Sequence, residues 1–203
     1  MAVGGAIVVG IGRADLPMIG GRVPSVAYDA YRTASGSAAT ITQACVVDWT
    51  ILAAIGQVES HHGRIDGTRE LTDDGTVTPP IRGPALDGTA GTQTIHDTDG
   101  GQLDGDSTWD RAMGPLQFIP TTWSELGRDG NGDGVIDPDN LYDATMTTTA
   151  HLCLREPGDY RMRSQLRRAL IAYNASGSYA DEVLSWVDRY RSHPLEEILE
   201  EAG

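Results

Sequence analysis

The middle of the chain limits what the rest can build. Between Gly63 and Met113, glycine, aspartate, threonine and proline crowd the sequence, with Thr78-Pro79-Pro80, Gly83-Pro84 and Asp97-Thr98-Asp99-Gly100-Gly101 along the way. Such residues set turns and break helices. So long a stretch with little regular structure is rare in a compact domain unless it is functional or a linker. It runs straight into Met113-Gly114-Pro115-Leu116-Gln117-Phe118, which reads as ordered. The expectation is a large loop (63–113) packed beside a cleft, with a disordered insertion as the alternative.

Helical patterning lies on both sides of that stretch. Pro24 to Thr33 reads as a short first helix with proline near its start. Ile41 to Ser60 is the best helical segment, because Ile41, Ala44, Cys45, Leu52, Ile55 and Gly56 fall mostly on one stripe. Thr121 to Leu126 follows Pro120 as a short helix. Asp143 is expected as the N-cap of a helix through Leu154, ended by Pro157-Gly158. Arg161 to Asn174, Ala180 to Tyr190 and Leu195 to Glu201 complete a helix-rich second half. With 203 residues and no repeat, the chain suits one mainly α domain over 24–192 that buries roughly 70% of its unfolded surface. Residues 1–23 are expected as a leader or a segment of uncertain order, and 193–203 as a C-terminal helix or tail.

Charge narrows the partners. Every basic residue is arginine, and fifteen of them face twenty-nine acidic residues for a net charge of −14. So negative a surface repels phosphate backbones and speaks against nucleic acid, while it suits a protein that collects cations. Arg161, Arg163, Arg167 and Arg168 share one expected helix and read as a solvated face pairing with the acidic surface. No apolar run approaches the roughly 20 residues that span a bilayer, so no stable membrane insertion is expected. Ala6-Ile7-Val8-Val9-Gly10-Ile11 is the remnant of a signal or anchor, a short strand, or a leader. Cys45 and Cys153 lack zinc-ligand spacing and are either two buried thiols or one bridge. His61, His62 and His96 show no zinc pattern.

Glu59 stands out among the acids. Stepping back by helical turns from 59 reaches Gly56, Ile55 and Leu52, so its carboxyl continues an apolar stripe. Poor solvation there raises its pKa and keeps a proton available near neutrality, as a general acid requires. A glutamate at a fraying helix end is the plainer alternative.

Further along, Asp129-Gly130-Asn131-Gly132-Asp133-Gly134-Val135-Ile136-Asp137-Pro138-Asp139-Asn140 reproduces the spacing of an EF-hand calcium loop. Asp129, Asn131, Asp133 and Asp137 offer side-chain oxygens, Val135 its backbone carbonyl, and Gly134 the turn. Asn140 closes the loop where a bidentate glutamate is usual, which weakens the site unless Asp139 or Asp143 contributes. An Asx- and Gly-rich turn is the alternative. Asp97, Asp99, Asp104, Asp106 and Asp110 form a second acidic group, read as solvated turn residues, with lining a sugar groove or holding another cation as the alternatives and Asp110 the one nearest the Gly-Pro-Leu-Gln segment. Trp49, Trp123 and Trp186 fall on expected helices as core, and Trp109 in the loop is the better platform for a sugar ring.

Three motifs occur in order: Val58-Glu59-Ser60-His61-His62-Gly63, then Gly114-Pro115-Leu116-Gln117-Phe118-Ile119-Pro120-Thr121-Thr122-Trp123, then Ala172-Tyr173-Asn174-Ala175-Ser176. Together they resemble the lytic transglycosylases, most closely the membrane-bound lytic transglycosylase B family and its actinobacterial relatives, over roughly Pro24 to Tyr190. In that family a Glu-Ser pair ends a helix, a Gly-x-x-Gln-Phe-x-Pro segment lines the groove, and a Tyr-Asn pair comes from a later helix. The resemblance implies a lysozyme-like helical domain, a variant EF-hand loop with structural calcium, and peptidoglycan glycan strands as substrate.

It implies that Glu59 protonates the β-1,4 bond between N-acetylmuramic acid and N-acetylglucosamine. Glu59 then takes the proton of the muramic acid 6-hydroxyl, which closes a 1,6-anhydro ring. Ser60, Asp110, Gln117, Tyr173 and Asn174 are the implied substrate-binding residues. Pro115 departs from the commoner Gly-Leu-Met-Gln of other transglycosylases. A location outside the cell membrane follows from the substrate, a monomer is expected, and export favours the Cys45–Cys153 bridge. Two other readings share the sequence: a goose-type, lysozyme-like hydrolase with Asp110 placing water, and an inactive calcium-stabilised wall-binding module.

Overall fold

The computed structural model describes residues 21–65, 67–89 and 91–200. Helix α2 (Trp49–Ser60) is its axis. Ten of its twelve residues are buried, from Thr50 to Gln57 without a break and then Glu59 and Ser60. A helix apolar on every side belongs at the centre of a core. Helix α1 (Ser25–Ile41) lies on one flank and α6 (Gly177–Ser192) on another. Helix α4 (Leu141–Arg155) packs chiefly on α1, and α5 (Arg163–Tyr173) bridges α4 and α6. The buried face of α1 is mostly alanine (Ala27, Ala30, Ala34, Ala38) around Tyr31, a small-residue stripe that lets its backbone approach its neighbours closely.

The expected helix from Ile41 to Ser60 is two helices, and the first segment is longer than Pro24 to Thr33. Residues 42–48 leave the helical path because distant partners claim them. Cys45 is bridged to Cys153 with Cα atoms 5.4 Å apart. The Val46 N–H donates to the Gly158 carbonyl at 3.0 Å, and the Val46 carbonyl accepts from the Tyr160 N–H at 3.0 Å. Asp48 then starts α2, its carboxylate accepting from the Thr50 N–H at 3.0 Å.

Asn140, not Asp143, caps α4: its Oδ1 accepts from Tyr142 N at 2.9 Å and from Asp143 N at 3.5 Å. Helix α3 (Pro120–Leu126) starts on its proline, and α5 and α6 fall close to their expected places. The last helix, α7 (Leu195–Ile198), stops short of Glu201. Residues 198–200 then run beside Val23, with Val23 N on Ile198 O at 2.8 Å and Glu200 N on Val23 O at 3.0 Å. The Ala6–Ile11 segment lies outside the described residues.

Between α2 and α3 the chain is tied turn by turn. Strands β1 (Glu70–Leu71) and β2 (Val77–Thr78) pair antiparallel, as do β3 (Arg82–Ala85) and β4 (Arg111–Met113). Aspartates hold the turns: Asp97 Oδ1 accepts from Gly100 N at 2.9 Å and Gly101 N at 3.1 Å, and Asp106 Oδ1 from Thr108 N at 3.0 Å. Asp104 is buried with its Oδ2 on the Arg111 N–H at 2.6 Å. Arg82 grips both carboxylate oxygens of Asp139, at 2.6 and 2.9 Å, and so fastens this region to residues 129–140.

Trp123 is buried, Trp49 and Trp186 half-buried, and Trp109 half-buried with His96 stacked on it at 4.3 Å. Arg161, Arg163 and Arg167 pair with Asp159, Asp188 and Asp181. Among the described residues no helix is long and apolar enough to cross a membrane.

Candidate active site

Helix α2 ends abruptly just past Glu59. His61 (φ 51°), His62 (φ 61°) and Gly63 (φ 87°) lie successively in the left-handed region, which costs the two histidines energy. The fold holds them there. The His61 and His62 N–H groups return to Gln57 O at 3.1 Å and Gly56 O at 3.0 Å. The buried His62 ring lies with Nδ1 2.9 Å from the Tyr31 hydroxyl and Nε2 3.3 Å from that of Tyr190. Burial first, and then the charges of Arg64 and His61, push the His62 pKa down to about 3, so the ring is neutral. Gly56 leaves the space that the Tyr31 hydroxyl fills; any Cβ at 56 collides with it.

The turn presents Glu59 to a dry niche. Glu59 is 4% exposed. Its Oε1 accepts the Tyr179 hydroxyl proton at 2.7 Å, and its Oε2 has no hydrogen-bond partner among the described residues. Burial drives its pKa from 4.5 up to about 8, and the Tyr179 bond opposes that rise. A protonated carboxyl at neutral pH with one free oxygen can give up a proton, and the phenol then steadies the anion.

Tyr179 sits in the first turn of α6, where Ser176 caps the helix by accepting from the Tyr179 N–H at 3.2 Å. Its ring stacks on Tyr173, the last residue of α5, at 6.3 Å. Burial and the neighbouring Glu59 raise both phenol pKa values well above 10.0.

The Gly-Pro-Leu-Gln segment forms a tight turn against this niche. Met113 and Phe118 exchange N–H···O bonds at 2.8 and 3.0 Å across its base. Gly114 (φ 68°) must lack a side chain, because a Cβ there runs into the Pro138 carbonyl. Gln117 takes φ 53°, is buried, and donates its Nε2–H to Gly114 O at 2.8 Å, leaving Oε1 for other partners. The Ser60 hydroxyl donates to Pro115 O at 2.6 Å and accepts from Gly63 N at 2.7 Å. The Tyr173 hydroxyl donates to Leu116 O at 3.1 Å. Two chain segments thus converge on Glu59 through Ser60 and Tyr173.

The five expected substrate-binding residues are all buried. Ser60 and Tyr173 are 1% and 0% exposed. Their hydroxyl protons go to the Pro115 and Leu116 carbonyls, which braces the Gly114–Gln117 turn. Asn174 caps α5 and keeps a buried Nδ2 with no hydrogen-bond partner among the described residues. Asp110 does not join Glu59. Its carboxylate accepts from Thr98 N and Oγ1 at 2.9 Å, and its oxygens lie within 4.8 Å of ligand atoms of Asp97 and Asp99. Burial raises the Asp110 pKa.

Sequence reasoning missed Tyr179. Its signal was present: an aromatic opening the apolar face Tyr179, Ala180, Val183, Leu184, Val187 and Tyr190, three residues after a serine cap.

In residues 129–140 the Asp129 carboxylate accepts from Gly132 N at 2.6 Å and Gly134 N at 2.9 Å, with Gly134 at φ 87°. The expected ligand Asn140 is spoken for: its Oδ1 caps α4, and its Nδ2 donates to Asp74 O at 3.0 Å. Asp139 is held by Arg82. Asp143, 1% exposed, accepts from Gly130 N at 2.7 Å and Asp137 N at 2.8 Å, which places its carboxylate at the base of the loop.

A family model described as the transglycosylase SLT domain matches residues 93–158. That span holds Asp110, Gln117, the 129–140 loop and Cys153, and it excludes Glu59, Tyr173, Asn174 and Tyr179. No curated protein matches the chain. The match makes residues 93–158 similar to the transglycosylase SLT domain, and it falls on a mainly helical frame.

Proposed function

We propose that this protein cleaves the β-1,4 bond between N-acetylmuramic acid and N-acetylglucosamine in peptidoglycan, leaving a 1,6-anhydro end on the muramic acid. The observation that carries the reading is Glu59 itself, buried, protonated up to about pH 8 and bonded through one oxygen to Tyr179.

In the first half-reaction Glu59 gives its proton to the departing glycosidic oxygen while the substrate's own 2-acetamido group stabilises the cationic sugar. The Tyr179 hydrogen bond steadies the resulting carboxylate. In the second, that carboxylate takes the proton of the 6-hydroxyl as this oxygen bonds to the anomeric carbon. Glu59 is restored and no water is consumed. One carboxyl acting as acid and then base needs no second carboxylate beside it, consistent with Asp110 being engaged elsewhere. Asn174 Nδ2 and Gln117 Oε1 are the polar atoms available to orient the sugar. The glycan substrate puts the site of action outside the cell membrane, which suits the Cys45–Cys153 bridge.

Residues 129–140 fit calcium in part. Asp129, Asn131, Asp133, Asp137 and the Val135 carbonyl would hold it, with Asp143 closing the set in place of Asn140. The ion would brace the loop that Arg82 and Gly114 pack against, a structural part with no step in the chemistry.

Mass spectrometry of soluble fragments from purified peptidoglycan tests the reaction. Fragments lighter by one water than hydrolytic products are expected, and none from Glu59→Gln. Fragments of hydrolytic mass would reassign the protein as a lysozyme. Undiminished release by Glu59→Gln would remove Glu59 from the mechanism.

A further inference from the structure

A cavity of about 290 Å³ opens where Gly21 and Arg22 meet the ends of α6 and α7. Arg22, Arg189, His193 and Glu197 line it together with Tyr190. Its charge is out of keeping with the rest of the molecule. The chain carries −14, and among the described residues at least eight arginines sit within 4.0 Å of a carboxylate. Among the described residues neither Arg22 nor Arg189 has such a partner, yet both face this one cavity. Arg189 is also held in place, its guanidinium 5.0 Å over the Trp186 ring. A guanidinium ordered by stacking loses less freedom on meeting a carboxylate and suits a planar two-point contact.

The other walls narrow the ligand. Glu197 contributes a carboxylate to the same lining, which repels a simple dianion and attracts an ammonium. The His193 Nδ1 is engaged with the Arg189 carbonyl at 2.8 Å, which leaves Nε2 as its free ring nitrogen. Two guanidiniums and one carboxylate around a volume of this size complement a group that carries a carboxylate and an ammonium together.

The cavity also reaches the catalytic helix through one side chain. The Tyr190 hydroxyl donates to Gly21 O at 3.0 Å and lies 3.3 Å from His62 Nε2 and 3.5 Å from Gln57 Oε1. Gln57 and His62 flank Glu59 in the chain.

We propose that this cavity binds the free amino-acid end of a peptidoglycan stem peptide, with Arg22 and Arg189 taking its carboxylate and Glu197 its ammonium. The inference rests on the peptidoglycan reading above and adds a peptide subsite to the glycan groove. Such a site makes the enzyme distinguish strands that carry stems from bare ones.

Calorimetric titration of the full chain with the tripeptide L-Ala-γ-D-Glu-L-Lys tests it, beside the same peptide as its C-terminal carboxamide and as its Nε-acetyl form. Binding at least tenfold weaker is expected for the carboxamide, and for Arg22→Gln and Arg189→Gln with the free peptide. Glu197→Gln should weaken the free-amine peptide and leave the acetylated one unchanged. Equal binding of all three peptides, no binding to the unaltered chain, or inorganic phosphate competing as well as the tripeptide would each overturn the proposal. Cleavage of strands stripped of their stems separates the two readings. Arg22→Gln and Arg189→Gln should cut bare strands as well as the unaltered protein does, whereas failure of the unaltered protein on every glycan would sink the glycan reading alone.

Discussion

Burying a carboxyl that must ionise during turnover makes the native protein less stable as pH rises, and Glu59→Gln exposes that cost. The Glu59 pKa stands at about 8 in the folded protein against an ordinary 4.5. Between those values the folded chain holds a proton that the unfolded chain has lost, and each pH unit costs about 1.4 kcal/mol. The stability this proton contributes is fully present below pH 4.5, declines as pH rises, and is lost above about 8, for a total of about 5 kcal/mol. Glutamine keeps the shape and the acceptor for Tyr179 but never ionises. The variant should therefore match the unaltered protein near pH 4.5, exceed it by about 3 kcal/mol at pH 7, and exceed it by about 5 kcal/mol at pH 9. Urea titrations at these pH values, with the disulfide intact, measure the gap directly. A gap that stays flat from pH 5 to 9 refutes the claim that burial sets the Glu59 pKa.

Tyr179→Phe removes the bond that favours the Glu59 carboxylate, so the alkaline limb of kcat/KM should move above its position near pH 8. The same variant should lose roughly 10- to 100-fold in kcat, the worth of one hydrogen bond to a charged group; an unmoved limb contradicts the assignment. A chelator should lower Tm by several degrees if calcium braces residues 129–140. Asp129→Ala and Asp143→Asn should each abolish most of that shift, whereas Asn140→Ala should keep it while losing about 1 kcal/mol of helix cap. Replacing Cys45 and Cys153 with alanine frees a cross-link between residues 108 apart, and should cost about 4–5 kcal/mol in denaturant titrations. An unchanged midpoint would mean that the bridge adds nothing.

What could be read from the chain followed the range of the forces involved. Local periodicity located α5 and α6 to within a few residues, and it put Glu59 on the buried stripe of α2. It could not show that α1 runs to Ile41 and stops, because Ala44 and Cys45 continue the helical phase. What ends that helix is a bridge to Cys153 and a pair of backbone bonds flanking Asp159, more than a hundred residues on. Asn140 shows the opposite case. The loop spacing makes it a calcium ligand, but an asparagine before Leu141 also suits an N-cap, and the backbone N–H groups took it. Ser60 and Tyr173, expected to bind substrate, turn out to hold the Pro115 and Leu116 carbonyls, contacts that sequence order does not reveal. Tyr179 lies 120 residues from the carboxyl it bonds, with no local pattern to join them.

The Ser60 hydroxyl has a consequence for how such an enzyme can change. By joining Pro115 O and Gly63 N it pins the two ends of the 64–112 excursion to each other and to the turn after Glu59. An excursion anchored at both feet can lengthen, shorten or be exchanged at its tip without moving the acid. Doubling such a loop costs only about 0.6 kcal/mol in closure entropy. Glu59, the Gly114–Gln117 turn and the tyrosine pair then act as a fixed cutting edge, and the excursion as an interchangeable guide by which strand preference can diverge while the chemistry stays the same.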